Sequence, residues 1–173
     1  CNDLSNLLNR TVSMVNKYFN GRVPNCNVEL NEIDKNLQEF TLEKINKFEE
    51  LIENFEMANA IQEIWNIVSR TNKYIDETMP WALAKEEKTE ELEKTMNHII
   101  ENLRKIAILI SPFMEETSNN ILNQIGVTKS SLKTWDSINN YSKLEDIKVI
   151  EKGEPIFMRL NMDEEVEYIK SGM

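Results

Sequence analysis

An all-α helical bundle is the fold this sequence predicts, and three observations predict it: few chain breakers, many helix formers, and apolar residues recurring at helical spacing. The 173 residues include four Gly and four Pro, with 40% hydrophobic and 29% charged. That composition suits amphipathic helices packed around one core, and the length allows a single domain with a sizeable interior. No run approaches the roughly 20 apolar residues that span a bilayer. The N-terminus lacks a basic-then-apolar secretion signal, so a soluble protein without membrane contact is expected. Cys1 and Cys26 form no C-x-x-C pair, and His98 is the single histidine. No disulfide framework and no metal site is therefore expected, and a reducing, cytoplasmic setting follows.

The first helix is expected from Asp3 to Phe19, because Leu4, Leu7, Leu8, Val12, Val15 and Phe19 share one face and Asn20-Gly21 stops it. A helix beginning so close to the terminus suggests a piece of a longer chain. A second helix is expected over Val28–Asn54, on a stripe running from Leu30 and Ile33 through Phe48 to Phe55. The third spans Met57–Thr78, and Pro80 stops it, since the residue before proline is steered out of the α region. The next covers Lys88–Ile110. Ser111-Pro112 breaks that helix and opens a short one through Ile125, with proline tolerated in its first turn. Residues 1–126 thus form the bundle, and 127–173 an irregular extension packed on it as one structural unit. Within the extension, Ile147–Ile150 and Pro155–Arg159 are expected to be extended about Gly153, with a last short helix over Asp163–Ile169.

Two short motifs carry the chemistry. In Asn6-Leu-Leu-Asn-Arg10 a spacing of four sets an amide and a guanidinium one turn apart on one helix face. In Tyr74-Ile-Asp-Glu-Thr-Met-Pro80-Trp81 a helix ends at Pro80 and leaves Trp81 at its exit. An amide with donors and acceptors, a planar cationic fork and a large indole suit hydrogen bonding to unpaired bases and stacking on them. The net charge of −10 opposes duplex binding, which relies on basic surface and counterion release. Single-stranded recognition instead rests on a few stacking and base-edge contacts. Arg10, Lys17, Arg70, Lys73 and Lys85 are the basic residues expected near such a site.

These strings, with Asp3–Gly21 in full and the later Ile106-Ala-Ile-Leu-Ile-Ser-Pro112-Phe113-Met, closely resemble the anticodon-binding domain of bacterial methionyl-tRNA synthetase. The resemblance covers nearly the whole chain. It implies that Asn6 and Arg10 contact anticodon bases and that Trp81 is the platform for the first base, a cytosine. Asn2, Asp76 and Pro80 are secondary candidates. Asp76 would accept from a base amine or repel wrong anticodons. The partners implied are the methionine tRNA, through its CAU anticodon loop, and the protein's own N-terminal catalytic domain. The extension would pack back toward that catalytic body.

No Gly-rich phosphate loop and neither class I synthetase signature occurs in the chain, so no catalytic residues and no cofactor are assigned to it. ATP, methionine and a family zinc insertion would belong to the catalytic part. The rival expectation is a protein-interaction module with an acidic face. A stand-alone tRNA-binding adaptor is a third. The remaining tryptophans, Trp65 and Trp135, are expected to fill the core, His98 to be a structural histidine, and Lys85–Lys94 to be a solvated loop and helix start.

Overall fold

The computed structural model describes residues 2–157, and every regular element among them is helical. The order is α1 (Asn2–Phe19), α2 (Glu32–Glu53), α3 (Met57–Thr78), α4 (Pro80–Lys85), α5 (Thr89–Ile110) and α6 (Glu115–Gln124), followed by short 3-10 turns at Ser130–Leu132 and Trp135–Asn139. The all-α expectation holds, and α3 has the bounds read from its sequence. The expected helix over Asp163–Ile169 lies outside the described residues, as does the end of the Pro155–Arg159 segment.

Several boundaries differ for identifiable reasons. The second helix starts at Glu32 rather than Val28, because Asn31 and Asp34 form a reciprocal cap: Asp34 N donates to Asn31 Oδ1 at 3.0 Å, and Asn31 N donates to Asp34 Oδ2 at 2.9 Å. Phe55, assigned to the α2 stripe, lies past the helix end with φ 61° and is 85% exposed. Pro80 does not merely stop α3: it opens α4, where its missing N–H is no loss. Pro112 sits in a turn, and α6 begins only at Glu115. The Ile147–Ile150 segment reduces to one antiparallel bridge, Arg22 to Lys148.

Helix α5 is the axis of the bundle. It packs against all five other helices, and every residue from Lys94 to Ile110 is buried. Half of it is an apolar stripe through Met96, Ile99, Ile100, Leu103 and Ile106, which meets Leu4, Leu8, Leu37, Ile64 and Val68 in one core. The other half is polar and survives burial because its groups are partnered. Lys94 was expected in the solvated stretch, yet it pairs with Asp34 at 2.8 Å and Glu91 at 2.6 Å. Asn102 donates to Thr41 Oγ1 and Thr71 Oγ1 and accepts from Tyr141 OH at 2.7 Å.

His98 is structural, as expected. Its Nδ1 lies 2.8 Å from Lys94 O, which can only accept, so Nδ1 carries the proton and Nε2 accepts from Gln38. Burial lowers its pKa and agrees with this neutral tautomer. Trp65 and Trp135 both pack partly buried against the core.

The extension is bonded to the bundle at several points. Arg104 pairs with Glu101 at 3.0 Å and donates to Leu132 O and Ser137 O, while Lys105 donates to Ile138 O. Asn16 Nδ2 on α1 reaches Ile150 O at 2.8 Å. Gly126, at φ 77°, lets the chain turn where a Cβ would sit 2.0 Å from Lys148 O.

Lys105 yields a pH prediction. Burial lowers its pKa to about 8 from the ordinary 10.5, with the Glu101 charge opposing that shift. Between those values the unfolded chain binds the extra proton, so Lys105 makes stability rise with pH from about 8 toward 10. Burial raises the pKa values of Tyr74 and Tyr141, which removes stability only above pH 10. Urea unfolding at pH 7.5, 8.5 and 9.5 is expected to show a rise that is absent in Lys105→Met. Parallel pH profiles for the two proteins would contradict this assignment.

Candidate nucleic-acid interface

The candidate residues come from α1, the end of α3 and the first turn of α4. Along α1, Leu4, Leu7, Leu8, Val12 and Val15 face the core, which turns Asn6 and Arg10 outward together. Thr11 Oγ1 donates to Leu7 O at 2.7 Å, so this buried hydroxyl is satisfied within α1. Along α3, buried Thr71, Tyr74 and Ile75 turn Asp76 to solvent. The two helices pack together, and Arg10 Nη2 lies 3.6 Å from Asp76 Oδ1, with side chains 44% and 69% exposed. Sequence spacing alone did not give this pairing.

The turn after α3 sets the remaining candidates. Tyr74, fully buried, donates to Asp34 Oδ1 at 2.7 Å and anchors the last turns of α3. Met79 then adopts φ 46° and ψ 69°, its N–H bonding to Ile75 O. For a residue with a Cβ this left-handed conformation costs on the order of 1–2 kcal/mol. Pro80 follows, buried, as the first residue of α4, and Trp81 sits in that first turn, 46% exposed. Ala82 N and Leu83 N both bond to Met79 O, which secures the new helix. Leu83 and Ala84 pack partly buried on the core, which leaves the indole on the outer side.

Asn6, Arg10, Asp76 and Trp81 are therefore surface groups on rigid helices, and the Arg10–Asp76 contact brings two of them together. Asn2 is the first residue of α1. Of the basic residues expected nearby, Lys17 and Lys85 are exposed. Arg70 is instead committed to Asn36 Oδ1 at 2.9 Å and Glu77 at 3.0 Å, and Lys73 is 3.7 Å from the same Glu77. Sequence reasoning missed Met79, whose exposed side chain precedes the platform; its position before Pro-Trp was the available signal. Among the described residues, no group of three or more His, Cys, Asp or Glu could hold a metal ion, and no helix is long and apolar enough to cross a membrane.

A family model described as the anticodon binding domain of methionyl tRNA ligase matches residues 23–171. The chain belongs to this family. Methionine–tRNA ligase of Bacillus subtilis is 47% identical over 99% of the chain, and that of Streptococcus pneumoniae is 46% identical over the same share. These alignments include α1, which the family model does not reach. The chain spans 26% of the length of either relative.

Among solved structures, Mycobacterium tuberculosis methionyl-tRNA synthetase bound to methionyl-adenylate superposes with a TM-score of 0.80 at 27% identity, over 91% of this chain and 31% of that one. Its apo form gives 0.81 over 92% and 32%. The fold of this anticodon-binding domain is thus shared with these synthetases.

A surface pair as open as Arg10–Asp76 contributes little to folding, on the order of 0–1 kcal/mol. Arg10→Ala and Asp76→Ala are each expected to leave the urea midpoint nearly unchanged. A large loss in either variant, measured by circular dichroism, would show that the pair is structural.

Proposed function

We propose that this chain reads the CAU anticodon of methionine tRNA as the C-terminal domain of a methionine–tRNA ligase. An attached catalytic domain would hold ATP and methionine and carry any zinc, and the chain itself would contribute no reacting group. The observation that carries the reading is the 3.6 Å contact between Arg10 on α1 and Asp76 on α3, at the end of α3 where the Met79-Pro80 turn presents Trp81.

In this account the first anticodon base stacks on Trp81, a contact worth roughly 1–3 kcal/mol. Asn6 offers both donors and acceptors to a base edge, and Arg10 offers a planar fork. A wrong base would leave these groups desolvated and unpaired, which is the basis of discrimination. Arg10 already has a weak partner in Asp76, so RNA replaces an existing exposed contact instead of a buried one. Asp76, released or retained, accepts from an exocyclic amine and repels a carbonyl edge. Asn2 extends the same helix by one turn, and Pro80 acts by fixing the turn that aims the indole. The acidic remainder of the surface gives no general attraction to phosphate, so affinity depends on these few contacts.

The test is a titration against an anticodon stem-loop bearing CAU and one with its first base changed, at low and moderate salt. Trp81→Ala and Arg10→Ala are each expected to weaken CAU binding about 5- to 150-fold, the equivalent of roughly 1–3 kcal/mol. Asp76→Ala is expected to narrow the gap between the two hairpins. Equal, salt-erased binding of both hairpins by the unaltered chain would contradict the reading.

A further inference from the structure

The α2–α3 turn exposes apolar surface that the bundle does not bury. Phe55 is 85% exposed on the turn, and Met57 at the start of α3 is 42% exposed. Met57 helps to line an open groove of about 580 Å³ together with Phe48, Phe113 and Trp135. Its aromatic wall is fixed in place: Phe48 meets Phe113 edge-on with ring centres 6.2 Å apart and Trp135 at 5.8 Å. Trp135 Nε1 donates to Glu49 Oε1 at 2.7 Å, which locks the indole against α2. Clustered exposed apolar groups beside a preformed aromatic pocket are the hallmark of an interface anchor site.

Three observations narrow the occupant. Met57 and Asp76 lie at opposite ends of α3, roughly five turns or about 28 Å apart at 1.5 Å per residue, so the groove is remote from the candidate RNA surface. Glu49 and Glu53 line it, which repels phosphate and matches a protein face carrying Lys or Arg around an apolar side chain. Finally, the chain spans only 26% of its ligase relatives, so most of such a protein lies outside it. An anticodon bound at one end can register the acceptor stem at a distant site only if the two bodies are held in fixed geometry.

We propose that the groove lined by Phe48, Met57, Phe113 and Trp135, with Phe55 on the adjoining turn, is the seat on which the remaining body of the same ligase docks, inserting an apolar side chain flanked by Lys or Arg. This rests on the reading of the chain as one domain of a methionine–tRNA ligase.

The test uses the full-length protein and a double variant, Phe55→Asn with Met57→Ser. Both side chains are exposed, and Asn tolerates the positive φ at position 55. Amide exchange is expected to speed up by about tenfold at residues 51–57 and in a matching segment outside this chain, the scale on which losing an interface anchor acts. Aminoacylation of tRNA should fall by a similar factor while methionine-dependent ATP–pyrophosphate exchange is retained. Glu53→Lys should reproduce the pattern. Changes confined to residues 51–57 would overturn the docking proposal. So would changes that track protein concentration, which mean a second copy, or protection that arises only with tRNA, which means an RNA contact. A full-length wild-type protein that attaches no methionine to tRNA overturns the ligase reading, whereas intact aminoacylation without the paired exchange signal overturns the docking alone.

Discussion

Burying a helix that carries Lys94, His98, Glu101, Asn102, Arg104 and Lys105 is possible only when each polar group finds a partner, since an unpaired one costs several kcal/mol. In α5 those partners come from everywhere else in the molecule. Asp34, Gln38 and Thr41 reach it from α2, Thr71 from α3, and Tyr141, Ser137 and Ile138 from the extension. Apolar contacts alone would tolerate a shifted α2–α3 hairpin. The bonds to Asn102 and Lys94 tolerate one register. Asp34 concentrates this constraint: burial opposes its charge, but donors from Lys94 and Tyr74 outweigh that and hold its pKa below the usual carboxylate value. One carboxylate thereby caps α2, pairs α5 and anchors the end of α3.

That anchoring connects the interior to the candidate interface. Because Tyr74 cannot move without breaking its bond to Asp34, the residues after it emerge in a set place. Asp76 meets Arg10, and the chain must turn at once through the left-handed Met79 into Pro80. Strain at a non-glycine residue persists only where surroundings impose it. Here the buried Pro80 and the caps on Met79 O impose it, and the result is an indole held outward at low entropic cost. An acidic domain can bind RNA on these terms, because preorganised stacking and base-edge contacts do not require a basic surface.

Much of this was legible in the sequence, and the failures have physical causes. The apolar periods of α1 and α3 identified their faces, and the Asn6–Arg10 spacing identified the outward pair on α1. The apolar period of α2 begins before the helix does, so the period alone places its start too early. The Asn31-x-x-Asp34 capping pattern was the signal to weigh instead. A proline after an apolar period reads as a stop, although Pro80 also satisfies the requirements of a first helical position. Phe55 continues the spacing of the α2 stripe, and spacing cannot reveal where a helix frays into a turn. The charge of Lys94 points to solvent, and only the fold brings Asp34 to it. The Arg10–Asp76 contact joins residues distant in sequence and had no local signature.

The central claim is that the Trp81 indole receives the first anticodon base. Fluorescence of Trp81 in a chain carrying Trp65→Phe and Trp135→Phe measures this directly. The account predicts saturable quenching by a CAU stem-loop and little quenching by a hairpin whose first base is replaced. Emission unchanged by either hairpin, or quenched equally by both, would contradict it.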